Sequence, residues 1–226
     1  MKTHTIRLTS ADGHEFGCWE STAANAKGHV VILQEIFGVT DQLKEFASVL
    51  IKENLSVTIP QLFDRHQPDT VVPFSDADTG RAIMNSLDLN ETLSDVEASI
   101  NHASRSPLPL FIIGFCWGGG VAFRAAQRFV TSGTIVFYGT KLGDYLEDEL
   151  LGPALLHFGK TDPLTPPELV EKIGEGFPSA EIHTYGCGHA FANHHRQTYD
   201  EESSNLAIQR TIDFINRHLG YQGTST

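Results

Sequence analysis

Cysteine is scarce in this chain. Three residues in 226, Cys18, Cys116 and Cys187, are an odd number, too few for a disulfide scaffold and without metal-finger spacing. Unpaired thiols point to a reducing compartment. Positive charge is also short: 16 Lys and Arg against 28 Asp and Glu leave a net charge of −12. Such a surface repels phosphate, so nucleic acid is a poor partner, and anionic membrane is disfavoured by the same sign. Long apolar runs are missing too. The longest, Leu108 to Phe123, is broken by Pro109, Gly114, Gly118, Gly119 and Gly120. It falls short of the ~20 residues that a bilayer requires. The N-terminal MKTHTIRLTSADGHE has no apolar h-region, so no signal peptide is read there. A cytoplasmic protein is expected.

What is present describes a globular domain. Hydrophobic residues make up 40% and charged residues 19%, which excludes a disordered chain and a long coiled coil. A chain of this size buries about 70% of its extended surface, so its core needs no covalent staple. No repeat or linker interrupts it. Residues 1–226 are read as one domain, with 220–226 as a frayed tail.

Periodicity gives the element order. Thr3 to Thr9 alternates, Asp12-Gly13 is a turn signal, and His14 to Glu20 returns as the second strand of a hairpin. HVVIL (His29 to Leu33) reads as a strand buried on both faces. Leu43, Phe46, Ala47, Leu50 and Ile51 form one helical stripe. A strand at Leu55–Ile59 precedes a long loop, Gln61 to Asp78, and then one helix from about Thr79 to Ala103. Further on come strands at Leu110–Phe115, Thr134–Tyr138, Ala154–Phe158 and Glu181–Tyr185. The helices there are Gly119–Val130, Pro167–Gly176 and Tyr199–Leu219. Buried strands alternating with helices predict an α/β fold, a mostly parallel sheet covered on both faces.

The most specific local feature is Phe111-Ile112-Ile113-Gly114-Phe115-Cys116-Trp117-Gly118-Gly119-Gly120. An apolar strand, then G-x-C-x-G, then a helix has the form of a nucleophile elbow with cysteine in place of serine. A sharp strand-to-helix turn strains the central residue and requires small flanks. It also raises the sulfur at a helix N-terminus, where free N–H groups and the dipole favour negative charge. The bland alternative makes Cys116 a small buried hydrophobe. A thiol nucleophile needs a base, and the base an orienter, in the chain order nucleophile, acid, histidine. Asp162, in the turn after LLHFG, and His189, in the Gly-rich loop after the last strand, supply that order. Alone, Asp162 is a plain Asp-Pro turn and His189 one of 11 histidines. Jointly they converge on the carboxyl edge of the sheet, where α/β folds bind ligands. Zinc at His189, His194 and His195 is disfavoured: their spacing is not the helical i, i+4 and no carboxylate cluster accompanies them. His157 and His183 read as packing residues, Cys18 as a strand residue, and Cys187 as loop filler rather than a resolving thiol. Glu35, ending HVVIL, is costly to bury unpaired. It is either a structural salt bridge or cap, or a carboxylate beside the thiol, raising its pKa and accepting its hydrogen bond.

On Gln34-Glu35-Ile36-Phe37-Gly38, Gly114-Phe115-Cys116-Trp117-Gly118-Gly119, Gly159-Lys160-Thr161-Asp162-Pro163 and Gly188-His189-Ala190-Phe191-Ala192, the chain resembles the dienelactone hydrolase (carboxymethylenebutenolidase-like) family of the α/β-hydrolase fold. The resemblance implies a triad of Cys116, His189 and Asp162. It implies that Glu35 keeps the resting thiol neutral and then helps deprotonate it. An oxyanion hole from the backbone N–H groups of Ile36 and Trp117 is implied as well, with hydrolysis of an enol-lactone through an acyl-enzyme. Phe37, Phe191, Arg81 and Asn193 become substrate-binding candidates. The sequence departs from the family where an arginine should stand four residues after the histidine: that position is Asn193. Arg81, or Arg196 from the loop, would have to supply the missing charge, since an amide does not replace a bidentate guanidinium.

The expectation is therefore a hydrolase of a small ester or lactone, working as a monomer or weak homo-oligomer with no cofactor and no metal. A thioesterase or carboxylesterase on an unrelated substrate is the alternative, and a non-catalytic ligand-binding protein on the same scaffold is a remoter one.

Overall fold

The computed structural model describes residues 2–220; of the expected tail at 220–226, all but Gly220 lies outside them. The chain divides into two compact units, one ending at Leu110 and the other beginning at Phe111.

In the first unit, β1 (Lys2–Thr9) and β2 (Glu15–Thr22) form the expected antiparallel hairpin. β2 also runs antiparallel to β4 (Leu55–Pro60), which lies parallel to β3 (Gly28–Leu33). Every residue of β3 and β4 is buried. Their apolar, β-branched runs fit strands covered on both faces. α1 (Asp41–Lys52) buries Leu43, Phe46, Ala47 and Leu50, the stripe that the sequence periodicity marks. At ~1.5–3 kcal/mol per buried side chain, that stripe outweighs any propensity difference along the helix.

The single helix expected from Thr79 to Ala103 is two: α2 (Ala77–Ser86) and α3 (Leu89–Ala103). Leu87 is extended, with ψ 136°, and Asp88 caps α3 by accepting hydrogen bonds from the N–H groups of Asn90 at 2.8 Å and Glu91 at 3.0 Å. The stretch expected as an open loop also holds a 3-10 turn, Leu62–Arg65, with Leu62, Phe63 and Asp64 buried. Arg65 closes on fully buried Asp95 of α3 with both ends of its fork, Nε to Oδ2 at 2.8 Å and Nη2 to Oδ1 at 2.7 Å.

In the second unit, β5 (Leu110–Phe115), β6 (Gly133–Phe137), β7 (Ala154–Gly159) and β8 (Glu181–Tyr185) run parallel in that order. α4 (Trp117–Ala126) packs on β6, α5 (Pro167–Gly176) lies between β7 and β8 in the chain, and α6 (Glu201–His218) packs on β6 and β7. β5, β6 and β7 are buried throughout. β8 is not: only Tyr185 is buried, so this strand, expected to be buried like the others, is a partly exposed one.

Candidate active site

β5 carries the chain to Cys116 and α4 carries it away. Between them Cys116 adopts φ 52° and ψ −116°, outside every region comfortable for a side-chain-bearing residue. Such a conformation costs about 1–3 kcal/mol and persists only where the surroundings hold it. Here they do. The Cys116 N–H donates to the Phe137 carbonyl at 3.0 Å. Its own carbonyl accepts from Gly119 at 3.0 Å, Gly120 at 3.3 Å and Thr140 at 3.0 Å. The flanks are small of necessity: a Cβ on Gly114 would run into the Gly118 carbonyl, and one on Gly120 into that of Thr140. Trp117 opens the helix, the position whose N–H the helical ladder does not use.

Two further loops meet this turn. The loop after β7 and the loop after β8 are tied together: Lys160 N–H donates to Tyr185 O at 2.8 Å and Thr161 N–H to Cys187 O at 3.0 Å. That fixes Asp162 against His189, whose Nδ1–H donates to Asp162 Oδ2 at 2.7 Å. The other carboxylate oxygen accepts from Leu164 N–H at 2.8 Å, so Asp162 cannot rotate away. Asp162 is buried to the last side-chain atom; the imidazole keeps 19% exposure. Burial alone would lower the imidazole pKa. The Asp162 hydrogen bond and the neighbouring Cys116 sulfur overcome this and push it up to about 10. Nε2 of the ring is buried and makes no full hydrogen bond, which leaves it to the sulfur beside it.

An aromatic wall that the sequence reading overlooked backs this ring. Tyr138, just past β6, is wholly buried, takes a left-handed φ of 39°, and meets His189 edge-to-face at 5.1 Å between centroids. Phe191 packs on Tyr138 at 5.5 Å, and Tyr185 on Phe191 at 5.0 Å. His157 is a packing residue as expected, but a bonded one: Nδ1 meets the Tyr185 hydroxyl at 2.8 Å and Nε2 the Thr211 hydroxyl at 3.1 Å. Burial drives its pKa far down, so it stays neutral. The only sequence hint at Tyr138 is its place at the end of an apolar strand, in register with the elbow.

The remaining candidates divide between the units. In the second, Phe191 lies in the wall, and Asn193 is fully buried with its Oδ1 accepting from the His195 N–H at 3.0 Å. Cys187 is a buried thiol whose pKa burial pushes up. In the first, Glu35, Ile36 and Phe37 follow β3 and are all buried. Phe37 packs edge-on to Phe74 at 4.9 Å. Arg81 follows Gly80, whose Cα abuts the Ile36 carbonyl, so its helix backs the Q-E-I-F-G segment. The Arg81 side chain itself is exposed and paired with Asp78.

A parallel sheet with a strained strand-to-helix turn at Cys116, then Asp162, then His189, each after its own strand, has the arrangement of an α/β hydrolase. Among solved structures, a candidate dienelactone hydrolase of Klebsiella pneumoniae matches with a TM-score of 0.81 at 24% identity, over 95% of this chain and 99% of that one. An esterase of Pyrococcus furiosus matches with a TM-score of 0.71 at 14% identity, over 96% and 92%. Both likenesses concern the fold. In sequence, the carboxymethylenebutenolidase of Pseudomonas putida is 31% identical over 228 residues, spanning 95% of this chain and 97% of the relative. That of Cupriavidus pinatubonensis is 27% identical over the same length. The profile of the dienelactone hydrolase family covers residues 18–219. The chain belongs to the dienelactone hydrolase family, and with membership goes an enzyme class: hydrolysis of lactone or ester bonds. No helix among the described residues is long and apolar enough to cross a membrane.

Proposed function

We propose that the chain hydrolyses a small ester or lactone through an acyl-enzyme on Cys116, with residues 1–226 acting as one catalytic domain. The observation that carries the reading is the His189–Asp162 hydrogen bond of 2.7 Å, with the opposite ring nitrogen left to a cysteine held at a strained strand-to-helix turn. His189 Nε2 takes the Cys116 thiol proton as the sulfur attacks the substrate carbonyl carbon, and the carbonyl π electrons move onto oxygen. Trp117 N–H, at the positive end of α4, stabilises that oxyanion. Collapse expels the alkoxide or enolate, which takes its proton from the His189 imidazolium. A water then attacks the thioester, His189 accepts its proton, the C–S bond breaks to free the acid, and the departing sulfur takes that proton back from His189. Asp162 holds the tautomer and stabilises the imidazolium throughout.

For Glu35 and for the Ile36 N–H the support is the family and the burial of a carboxylate at a strand end. Glu35 serves to keep the resting thiol quiet, and Ile36 to complete the oxyanion hole. Three cysteines, all free, suit a cytoplasmic setting. Asn193 favours a second reading of the substrate: an amide committed to its own loop offers no charge to a carboxylate. An uncharged ester or thioester then replaces a carboxylate-bearing lactone.

Turnover of aryl acetates, and an acyl mass increment on the intact protein, are the expected results. Cys116→Ala removes both; turnover near wild type in that variant rejects the assignment. A panel of lactones, esters and thioesters, each with and without a carboxylate, separates the two substrate classes. Glu35→Gln is expected to change the rate of Cys116 alkylation by iodoacetamide, and an unchanged rate removes Glu35 from the mechanism.

A further inference from the structure

His189 is secured at one end only. Its Nδ1 is tied to Asp162 at 2.7 Å, and its Nε2, the atom that must exchange a proton with sulfur, substrate oxygen and water, has no full hydrogen bond of its own. A single hydrogen bond fixes one ring atom and leaves the ring free to swing about it. Proton transfer does not tolerate that freedom: a misplacement of about 1 Å lowers rates on the order of 10²-fold.

The surface that blocks the swing is the ring of Tyr138, 5.1 Å from the imidazole centroid at an interplanar angle of 66°. Tyr138 is itself immobilised. It has no exposed surface, and Phe191, Phe115 and Phe137 contact its ring at 5.5, 6.1 and 6.3 Å. Phe191 is backed by Tyr185, whose hydroxyl accepts from Arg210 at 3.1 Å while the guanidinium lies 5.4 Å from its ring. The backbone at Tyr138 is locked as well. Its N–H donates to His157 O at 2.8 Å on β7, and its neighbours Phe137 and Thr140 bond both backbone groups of Cys116. The segment that presents the tyrosine ring is thus the same one that holds the elbow. A left-handed φ of 39° on a bulky aromatic is a conformation that only such over-determination maintains.

We propose that Tyr138 is a positioning residue for this hydrolase: its ring, rather than its hydroxyl, holds the His189 imidazole in line between Asp162 and Cys116. The proposal rests on the Cys116–His189–Asp162 reading above.

Tyr138→Phe keeps the ring and is expected to hold kcat for p-nitrophenyl acetate within about threefold of wild type. Tyr138→Leu and Tyr138→Met remove the ring at similar bulk and are expected to lower kcat about 10- to 100-fold with KM little changed. Tyr138→Gly relaxes the left-handed backbone and is expected to be as poor as Leu, which separates the ring from the strain. Rates are referred to folded protein by thermal melting and to competent sites by the first-turnover burst. The pH profile supplies a reading that a folding defect would not move. In the Leu and Met variants the loosened imidazolium loses its hold on Asp162, so the alkaline limb of kcat shifts to lower pH, whereas Phe keeps the wild-type limb. Wild-type kcat and limb in Leu or Met, or a loss in Phe equal to theirs, overturns the proposal. Should Cys116→Ala retain turnover, the triad reading fails first. Should it be inactive while Tyr138→Leu is unimpaired, only the role of Tyr138 fails.

Discussion

At the scale of single residues, the His189–Asp162 pair ties protonation to stability. The imidazole pKa, ordinarily 6.5, is raised to about 10 in the folded protein. A raised value means that the folded state holds its proton more tightly than the unfolded chain. The stabilisation is therefore whole below about 6.5 and drains away as pH climbs through about 10. Melting temperature followed from pH 6 to pH 10.5 should decline along that window in wild type. The decline should flatten in Asp162→Asn, which loses the charge that holds the proton. The same variant should lose kcat on the order of 10⁴-fold, because the amide favours the wrong tautomer and no longer stabilises the imidazolium. Cys116, Asp162 and His189 could be picked out of the sequence because each follows a strand, and the structure places Asp162 and His189 in hydrogen-bond contact. Tyr138 was not legible: its importance comes from register and a left-handed backbone, neither of which leaves a mark in composition.

At the scale of elements, close approach and capping decide which changes are tolerated. Gly114→Ala or Gly120→Ala would press a methyl into a carbonyl oxygen of the turn that carries Cys116. Each should cost about 1–3 kcal/mol or more, and activity should fall further than the loss of folded protein explains, since the elbow must shift. By contrast, the interior of α5 has room. A methyl at Gly174 would meet Ile182 at an ordinary 3.7 Å, so Gly174→Ala should raise stability by about 0.5–1 kcal/mol with kcat unchanged. Denaturant midpoints of the three variants test the contrast directly. The break between α2 and α3 was readable after all: Asp88-Leu89-Asn90-Glu91 carries a cap residue and a glutamate three positions on. A continuous apolar stripe masked that signal. The exposure of β8 was not readable, because partial exposure of a strand follows from its neighbours rather than from its own residues.

For the molecule as a whole, the unit that ends at Leu110 depends on a buried charge. Asp95 has no exposed side-chain surface, and Arg65 grips it at both oxygens. Arg65→Met would leave that buried carboxylate leaning on His14 Nδ1 at 3.1 Å, at a cost of about 3–5 kcal/mol. At ~2–4 °C per kcal/mol for a chain of this size, the melting temperature should fall by roughly 10 °C. Because Arg65 bonds none of Glu35, Ile36, Cys116, Asp162 and His189, kcat of the folded fraction should stay near wild type. A matching loss of kcat at temperatures where the variant is folded would contradict that separation. The alternation of strands and helices was legible at this scale because parallel strands buried on both faces are written as unbroken apolar runs. The Arg65–Asp95 pairing was not, since nothing local marks which acid a distant arginine will meet.

The turn at Cys116 carries a consequence for engineering. The hydrogen bonds that hold its backbone, to Phe137, Gly119, Gly120 and Thr140, run through peptide groups. Placement of the side-chain atom at this position is therefore set by the backbone more than by its chemical identity. A hydroxyl introduced as Cys116→Ser would be delivered to the same point in space, and any change in which compounds the protein accepts would measure oxygen against sulfur as an element, free of architectural rearrangement.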